Sequence, residues 1–182
     1  MDIAKAHRYF DTVFHCARGF SLRAQLLMAP MEESATYFLN SRRILKTDAK
    51  SMLRPGDVVT SSASGYTWLC GDNGPSEFQG RVIYKSFKLF EVTHKAATWT
   101  RHGATKDPIT GLEVKDPAPV TLGTIPVAIE FVKLQEDEMR IPADLVRIVA
   151  SADIRVGDHI HGLKVINVET QLGLKFITAK RQ

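Results

Sequence analysis

The sequence predicts a mainly β protein: a small β-barrel or sandwich, preceded by an α-helical segment and carrying one long hairpin loop. Two matching turns carry this prediction, Leu53–Asp57 and Ile154–Asp158, and both are built as apolar residue, Arg, any residue, Gly, Asp. Gly allows a backbone conformation in turns that other residues rarely adopt, and the Asp side chain can form a hydrogen bond with the backbone two residues on. A β-prone stretch follows each turn, so the same type of turn is predicted to precede two strands.

The composition is that of a soluble globular chain. The 182 residues are 44% hydrophobic and 24% charged, with a net charge of +4. This size fits one domain, and this balance argues against disorder of the whole chain. No apolar run reaches the roughly 18–20 residues of a transmembrane helix, and the first residues lack a signal-peptide pattern. We therefore expect the protein in the cytoplasm where it is made.

Residues 1–46 are expected to form a separate N-terminal segment. Its first part predicts a helix ending near Gly19, because one apolar stripe recurs at helical spacing. The stripe consists of Ile3, Phe10, Val13, Phe14 and Ala17. Residues 21–46 suit helix and strand equally well, so the pattern leaves them open.

Residues 47–182 are expected to form the β-barrel domain. Alternating and β-branched segments predict strands at 57–61, 66–70, 80–93, 95–101, 121–134, 145–150, 158–161, 163–170 and 173–179. Within 81–92 the apolar residues change phase. Either a β-bulge near 86–90 restores the alternation, or both faces of this strand are covered.

The segment 101–119 stands apart because it has few large apolar residues, two Asp-Pro pairs and one Thr-Gly pair. Loops longer than roughly 12–15 residues are uncommon in compact domains, and they are usually functional or disordered. We interpret it as a long hairpin excursion, either a binding arm or a mobile loop.

The sequence contains no strong catalytic motif, and no cofactor is expected. His159 and His161 can share one strand face as metal ligands, but no third ligand lies nearby, so surface histidines are the better interpretation. Cys70 lacks a partner base, which leaves a hydrolase using Cys70 or the histidine pair as a minor alternative. Cys16 and Cys70 lack the close spacing of a redox pair, and a reducing compartment fits.

Charge distribution leaves a second class of function open. Between 81 and 106 the positive residues are Arg81, Lys85, Lys88, Lys95, Arg101 and Lys106, against Glu91 alone. Aromatic residues are interleaved with them, a pattern that can stack bases on a sheet. A basic nucleic-acid-binding β-barrel is therefore an alternative.

Three features together resemble a known family: the Leu53–Asp57 turn, the hairpin through Tyr66–Cys70, and the closing hairpin through Gly157–Val165. They resemble the head–tail connector proteins of tailed bacteriophages, in particular the head-completion or stopper class. The resemblance covers roughly residues 50–180, and the 101–119 excursion also fits it.

The resemblance implies a structural virion protein of the phage neck and no enzyme. Copies would form a ring that joins the head, through its portal or adaptor ring, to a tail protein and helps to close the DNA channel. The 101–119 loop would face a partner or packaged DNA through Arg101, His102, Lys106 and Lys115, by phosphate contacts without base readout. A tail terminator or another neck or tail component is the alternative within this class.

Overall fold

The chain folds into two closed β-barrels. The computed structural model describes residues 12–28, 43–131 and 145–181, and these ranges contain twelve strands and no helix. The first barrel consists of β1 Thr12–Cys16, β2 Phe20–Met28, β3 Arg43–Asp48, β4 Val58–Ser61, β5 Thr67–Phe78 and β6 Arg81–Glu91. The second consists of β7 His94–Lys106, β8 Glu113–Phe131, β9 Leu145–Ala150, β10 His159–Ile160, β11 Leu163–Gln171 and β12 Leu174–Arg181. The described part of the chain thus contains no helix long and apolar enough to cross a membrane.

Both barrels have the same strand order. Neighbours around the first run β1-β2-β3-β6-β5-β4, and around the second β7-β8-β9-β12-β11-β10, all antiparallel. Closure of each barrel removes its unpaired sheet edges. The chain is therefore a tandem repeat of one six-stranded unit. The boundary expected at residue 46 falls inside β3 of the first barrel.

Each barrel has its own apolar core, because alternate residues of its strands point inward. Large side chains that are at most 2% exposed fill these cores: Phe14, Leu45, Val59, Trp68 and Leu89 in the first, and Val127, Ile148, Ile160, Val165 and Ile177 in the second.

A third apolar cluster joins the two barrels. It contains Leu69 and Phe90 from the first barrel, Val92 from the connection between the barrels, and Val149, Leu174 and Phe176 from the second barrel. Phe90 and Phe176 meet edge to face with ring centroids 5.4 Å apart, a favoured aromatic arrangement. The Asp72 N–H also donates to the Leu172 carbonyl at 2.7 Å. The barrels are therefore packed against each other as well as linked through the chain.

Side chains of strand β6 pack both in the core of the first barrel and in the cluster between the barrels, which explains the phase change in its sequence. Phe87 and Leu89 point into the first barrel, whereas Phe90 lies in the cluster between the barrels. The second interpretation, cover on both faces, is the observed one. No bulge interrupts β6 at 86–90 against β3, and the irregularities with β5 fall at Asp72/Pro75 and Ser76/Glu77.

The predicted N-terminal helix is wrong where the structure describes it. Thr12–Cys16 is a strand that pairs with β2 and β4, and Gly19, with φ of 89°, lies in the turn to β2. Non-local pairing outweighs a local helical pattern here, since Phe14 reaches the barrel core in the strand conformation. Residues 1–11 and 29–42 lie outside the described residues, and the open segment 21–46 is otherwise β2 and β3.

The strand predictions from residue 57 onward each overlap an observed strand, which confirms the mainly β class. The largest difference concerns 101–119. Most of it continues β7 and β8, with only 107–112 outside the strands.

Candidate interaction surface on the β7–β8 arm

Arg101 lies at the base of the long hairpin and is held by the turn that opens β10. Its guanidinium donates to both carboxylate oxygens of Asp158, at 2.7 and 2.8 Å, and to the Asp153 carbonyl at 2.9 Å. Asp158 also accepts from the Trp99 indole N–H and the Arg155 N–H. The carboxylate is therefore fully engaged while its residue is only 1% exposed.

The first barrel repeats this arrangement at its corresponding turn. Arg18 donates to both oxygens of Asp57 at 2.6 Å and to the Met52 carbonyl at 2.6 Å. The Arg54 N–H donates to Asp57 at 2.8 Å. At the two matching turns of the sequence, the β3–β4 connection is thus bonded to the β1–β2 turn through Arg18, and the β9–β10 connection is bonded to β7 through Arg101.

The ion pair changes the proton affinity of Asp158. Burial alone would raise the pKa of this carboxyl group, but hydrogen bonds from Arg101, the Arg155 N–H and Trp99 outweigh it. The pKa is lowered overall, so Asp158 is ionised at neutral pH. Arg101, predicted to face a partner, therefore also has a structural role in this ion pair.

The hairpin beyond Arg101 stands where the first barrel has only a short turn. In the first barrel β1 passes to β2 through residues 17–19. In the second barrel β7 and β8 pair with each other far beyond the points where they contact β10 and β9. We call residues 102–122 the arm. Because the first barrel closes without such an arm, barrel closure does not explain it.

The arm is an irregular two-stranded ribbon. His102 pairs with Pro119 and Ala104 with Lys115, so β8 has extra residues at 116–118 opposite Gly103. Proline cannot donate to a ladder, and the Asp-Pro-Ala-Pro sequence therefore accounts for this bulge.

Hydrogen bonds within the chain order the tip of the arm. The Asp107 carboxylate accepts the Ile109 N–H at 2.7 Å, and the Asp107 N–H donates to the Leu112 carbonyl at 2.9 Å. Gly111, with φ of 67°, donates back to the Asp107 carbonyl. The bond from the Ile109 N–H, followed by those from Thr110, lowers the pKa of Asp107, so the tip carries a negative charge at neutral pH.

The arm exposes an unusual amount of apolar surface. Five of the eleven exposed large apolar side chains among the described residues belong to it: Ile109, Leu112, Val114, Val120 and Leu122. Ile109, at the tip, is 92% exposed. Exposed apolar side chains grouped on one element can mark a protein-binding site. Hydrogen bonds within the tip hold the backbone of Ile109 and Leu112 in a defined conformation.

The other residues predicted to face a partner also lie in this region. His102 is half-buried at the base of the arm, with its ring 5.5 Å from that of His159. Lys106 and Lys115 lie on the two arm strands, where Lys106 is opposite Glu113 in the backbone register. The structure therefore places His102, Lys106 and Lys115 on one hairpin, and Arg101 lies at its base in the ion pair with Asp158.

The histidines of the second barrel form ring contacts with each other. His161 lies 4.5 Å from His94, centroid to centroid. In the described ranges, no group of three or more His, Cys, Asp or Glu side chains is arranged to hold a metal ion. Cys70 is fully buried in the first barrel, and burial raises the pKa of its thiol well above the usual value, which disfavours the nucleophilic thiolate.

A cavity of about 520 Å³ opens on the first barrel beside the short β1–β2 turn. Residues from β2, from the end of β3 and from the β3–β4 connection line it, among them Phe20, Leu22, Arg23, Asp48, Lys50 and Met52. Sequence reasoning missed this cavity, because its two walls are far apart in the chain. It also missed the apolar character of the arm, although Ile109 and Leu112 flank the Thr-Gly pair that signalled the turn.

No family model, curated protein or solved structure matches this chain.

Proposed function

We propose that this chain is a structural assembly protein that binds a neighbouring subunit through its arm, as a ring-forming component of a tailed-phage neck. The observation that carries the proposal is the ordered hairpin tip with Ile109 92% exposed. In this role the ring joins the head, through its portal or adaptor ring, to a tail protein and helps to close the DNA channel. A tail terminator or another neck or tail component uses the same surface and is the alternative within this class.

The energetics favour docking of the arm. Burying a large aliphatic side chain contributes about 1.5–3 kcal/mol. Ile109 and Leu112 together therefore offer several kcal/mol to a partner that covers them. The tip is held by Asp107 before binding, so little conformational freedom is lost on docking.

The fold suits a scaffold. Two barrels packed through one apolar cluster make a stiff body, and an arm projecting from such a body reaches a neighbour in a fixed direction. A contact between an arm and a different surface of the next copy is heterologous, and such contacts close into rings when the rotation permits. This geometry supports the ring that the head–tail connector resemblance implies.

Replacing 103–118 by Asn-Gly tests the proposal, since these two residues favour a tight hairpin turn between His102 and Pro119. Val156→Ser is the control, because it removes an exposed apolar side chain outside the arm. The mass of the purified protein by light scattering, and electron microscopy of particles from a phage carrying each variant, are the readouts. We expect the control to assemble normally.

The arm replacement should remain folded and yield empty or DNA-leaking heads beside separate, complete tails. Normal infectious particles from the arm replacement would overturn the proposal.

One observation favours a second candidate, a nucleic-acid-binding barrel. His159 lies opposite Lys164, and Lys164 opposite Lys180, so three basic side chains form a row across adjacent strands. Such a row can contact the phosphates of a nucleic acid without recognising a particular base. Lys164→Gln with Lys180→Gln should then weaken binding to duplex DNA and flatten its salt dependence, as fluorescence anisotropy would show. Undetectable binding by the parent protein at low salt would remove this candidate.

A further inference from the structure

We propose that the arm of one copy docks into the cavity on the first barrel of the next copy. This inference rests on the proposed function and identifies the partner of the arm as a second copy of this chain. The cavity and the arm are different surfaces of the molecule, so their contact is heterologous and leads to a ring or an open chain of copies.

The cavity and the base of the arm hold corresponding positions in the two barrels. Phe20 pairs with Cys16 in the first barrel, and Gly123 pairs with Trp99 in the second. Cys16 and Trp99 are themselves equivalent, since they pair with Val59 and Ile160, each two residues after the turn Asp. The second barrel therefore carries a hairpin where the first has a short turn beside an open cavity. An arm from a neighbour would then cover the end of the first barrel that carries no arm of its own.

The apolar surfaces of the two sites match. Phe20, Leu22 and Met52 line the cavity, and the Met52 side chain is 64% exposed. The arm tip presents Ile109 and Leu112, which are 92% and 67% exposed. The cavity is an open depression of about 520 Å³, which is room for aliphatic side chains of this size.

Charge also favours this pairing. Arg23 and Lys50 are exposed at the cavity, while Asp48 accepts the backbone N–H of Lys50. The tip carries the ionised Asp107 next to Ile109. Complementary charges at the rim orient the tip and speed association, whereas the apolar contact supplies affinity.

Cysteine cross-linking tests the contact. Ile109→Cys combined with Met52→Cys should give disulfide-linked oligomers under mild oxidation, because the two sites meet between copies. Ile109→Cys combined with Val156→Cys is the matched control, since Met52 and Val156 are each 64% exposed. The native thiols, Cys16 and Cys70, are buried and do not interfere. Equal cross-linking yields in the two variants would overturn the inference.

A mixing experiment separates this inference from the proposed function. Met52→Glu removes an apolar contact from the cavity and places a charge there that repels Asp107, and the Asn-Gly replacement removes the arm, so neither variant should assemble alone. Mixed, they should form a one-to-one complex by light scattering, because one supplies the arm and the other the cavity. If Met52→Glu assembles like the parent while the arm replacement fails in particles, the proposed function stands and the partner of the arm is a different protein.

Discussion

Asp57 and Asp158 hold the same place in the two barrels. Each follows the Gly of a matching turn and accepts the N–H of the Arg three residues earlier. Both oxygens of each carboxylate also accept hydrogen bonds from a second Arg, which is Arg18 in the β1–β2 turn for Asp57 and Arg101 in β7 for Asp158. These arginines, Arg18 and Arg101, are equivalent by register, since each lies two residues after the partner of Val59 or Ile160. The two matching turns of the sequence therefore form the same Arg–Asp ion pair between segments that are distant in the chain.

Loss of the buried carboxylate should destabilise the second barrel. Asp158→Asn removes the charge that Arg101 neutralises and weakens bonds to a charged group, each of which contributes about 1.5–3 kcal/mol. We expect the free energy of unfolding in urea to fall by about 2 kcal/mol. Asp153→Asn is the control: its ion pair with Arg155 is exposed, at 3.0 Å, and should contribute nothing measurable. Equal losses in the two variants would contradict a structural role for the buried pair.

The lowered pKa of Asp158 predicts that the folded protein loses stability in acid. Its pKa is lower in the folded protein than the value of about 3.9 expected in the unfolded chain, so folding favours the ionised form. The stabilisation is present above about pH 4 and is lost as the pH falls below it toward the folded pKa. Urea midpoints measured from neutral pH down to about pH 3 should therefore fall less for Asp158→Asn than for the parent. Parallel curves would show that another group dominates the acid response.

The two thiols should be protected in the folded protein. Cys16 is 5% exposed and Cys70 fully buried, and burial raises the pKa of Cys70, so little reactive thiolate exists. A chromogenic thiol reagent should react only as fast as the first barrel opens, and rapidly in denaturant. Fast labelling of both thiols under native conditions would contradict the packing of this barrel.

Gly173 tests the contact between the barrels. A Cβ at this position would lie 2.5 Å from the Pro55 Cβ of the first barrel, and the backbone has φ of 71°. Gly173→Ala should lower the free energy of unfolding by more than the roughly 1–2 kcal/mol of left-handed strain alone. Gly162→Ala has a similar φ of 78° with nothing within 4 Å, so it measures that strain. The difference between the variants, from urea unfolding, reports the clash, and equal values would argue against close packing at Pro55.

Local patterns predicted much of the secondary structure, and the reason is that they act over a few residues. Gly-Asp turns and alternating β-prone segments restrict the backbone wherever they occur. The strands after residue 57 were therefore predictable, and so was the hairpin in the Asp-Pro and Thr-Gly region. The same local reasoning failed at Thr12–Cys16, where pairing with β2 and β4 decides the conformation.

The residue pattern is sufficient to predict a mainly β chain with two matched turns and one long hairpin. Closure of the strands into two barrels cannot be read from that pattern, because it depends on pairings between strands remote in the chain, such as β3 with β6. The ion pair of Arg101 with Asp158 and the cover on both faces of β6 likewise depend on contacts between distant segments. The cavity beside Phe20 likewise exists only after folding, since β2 and the β3–β4 connection must first be brought together.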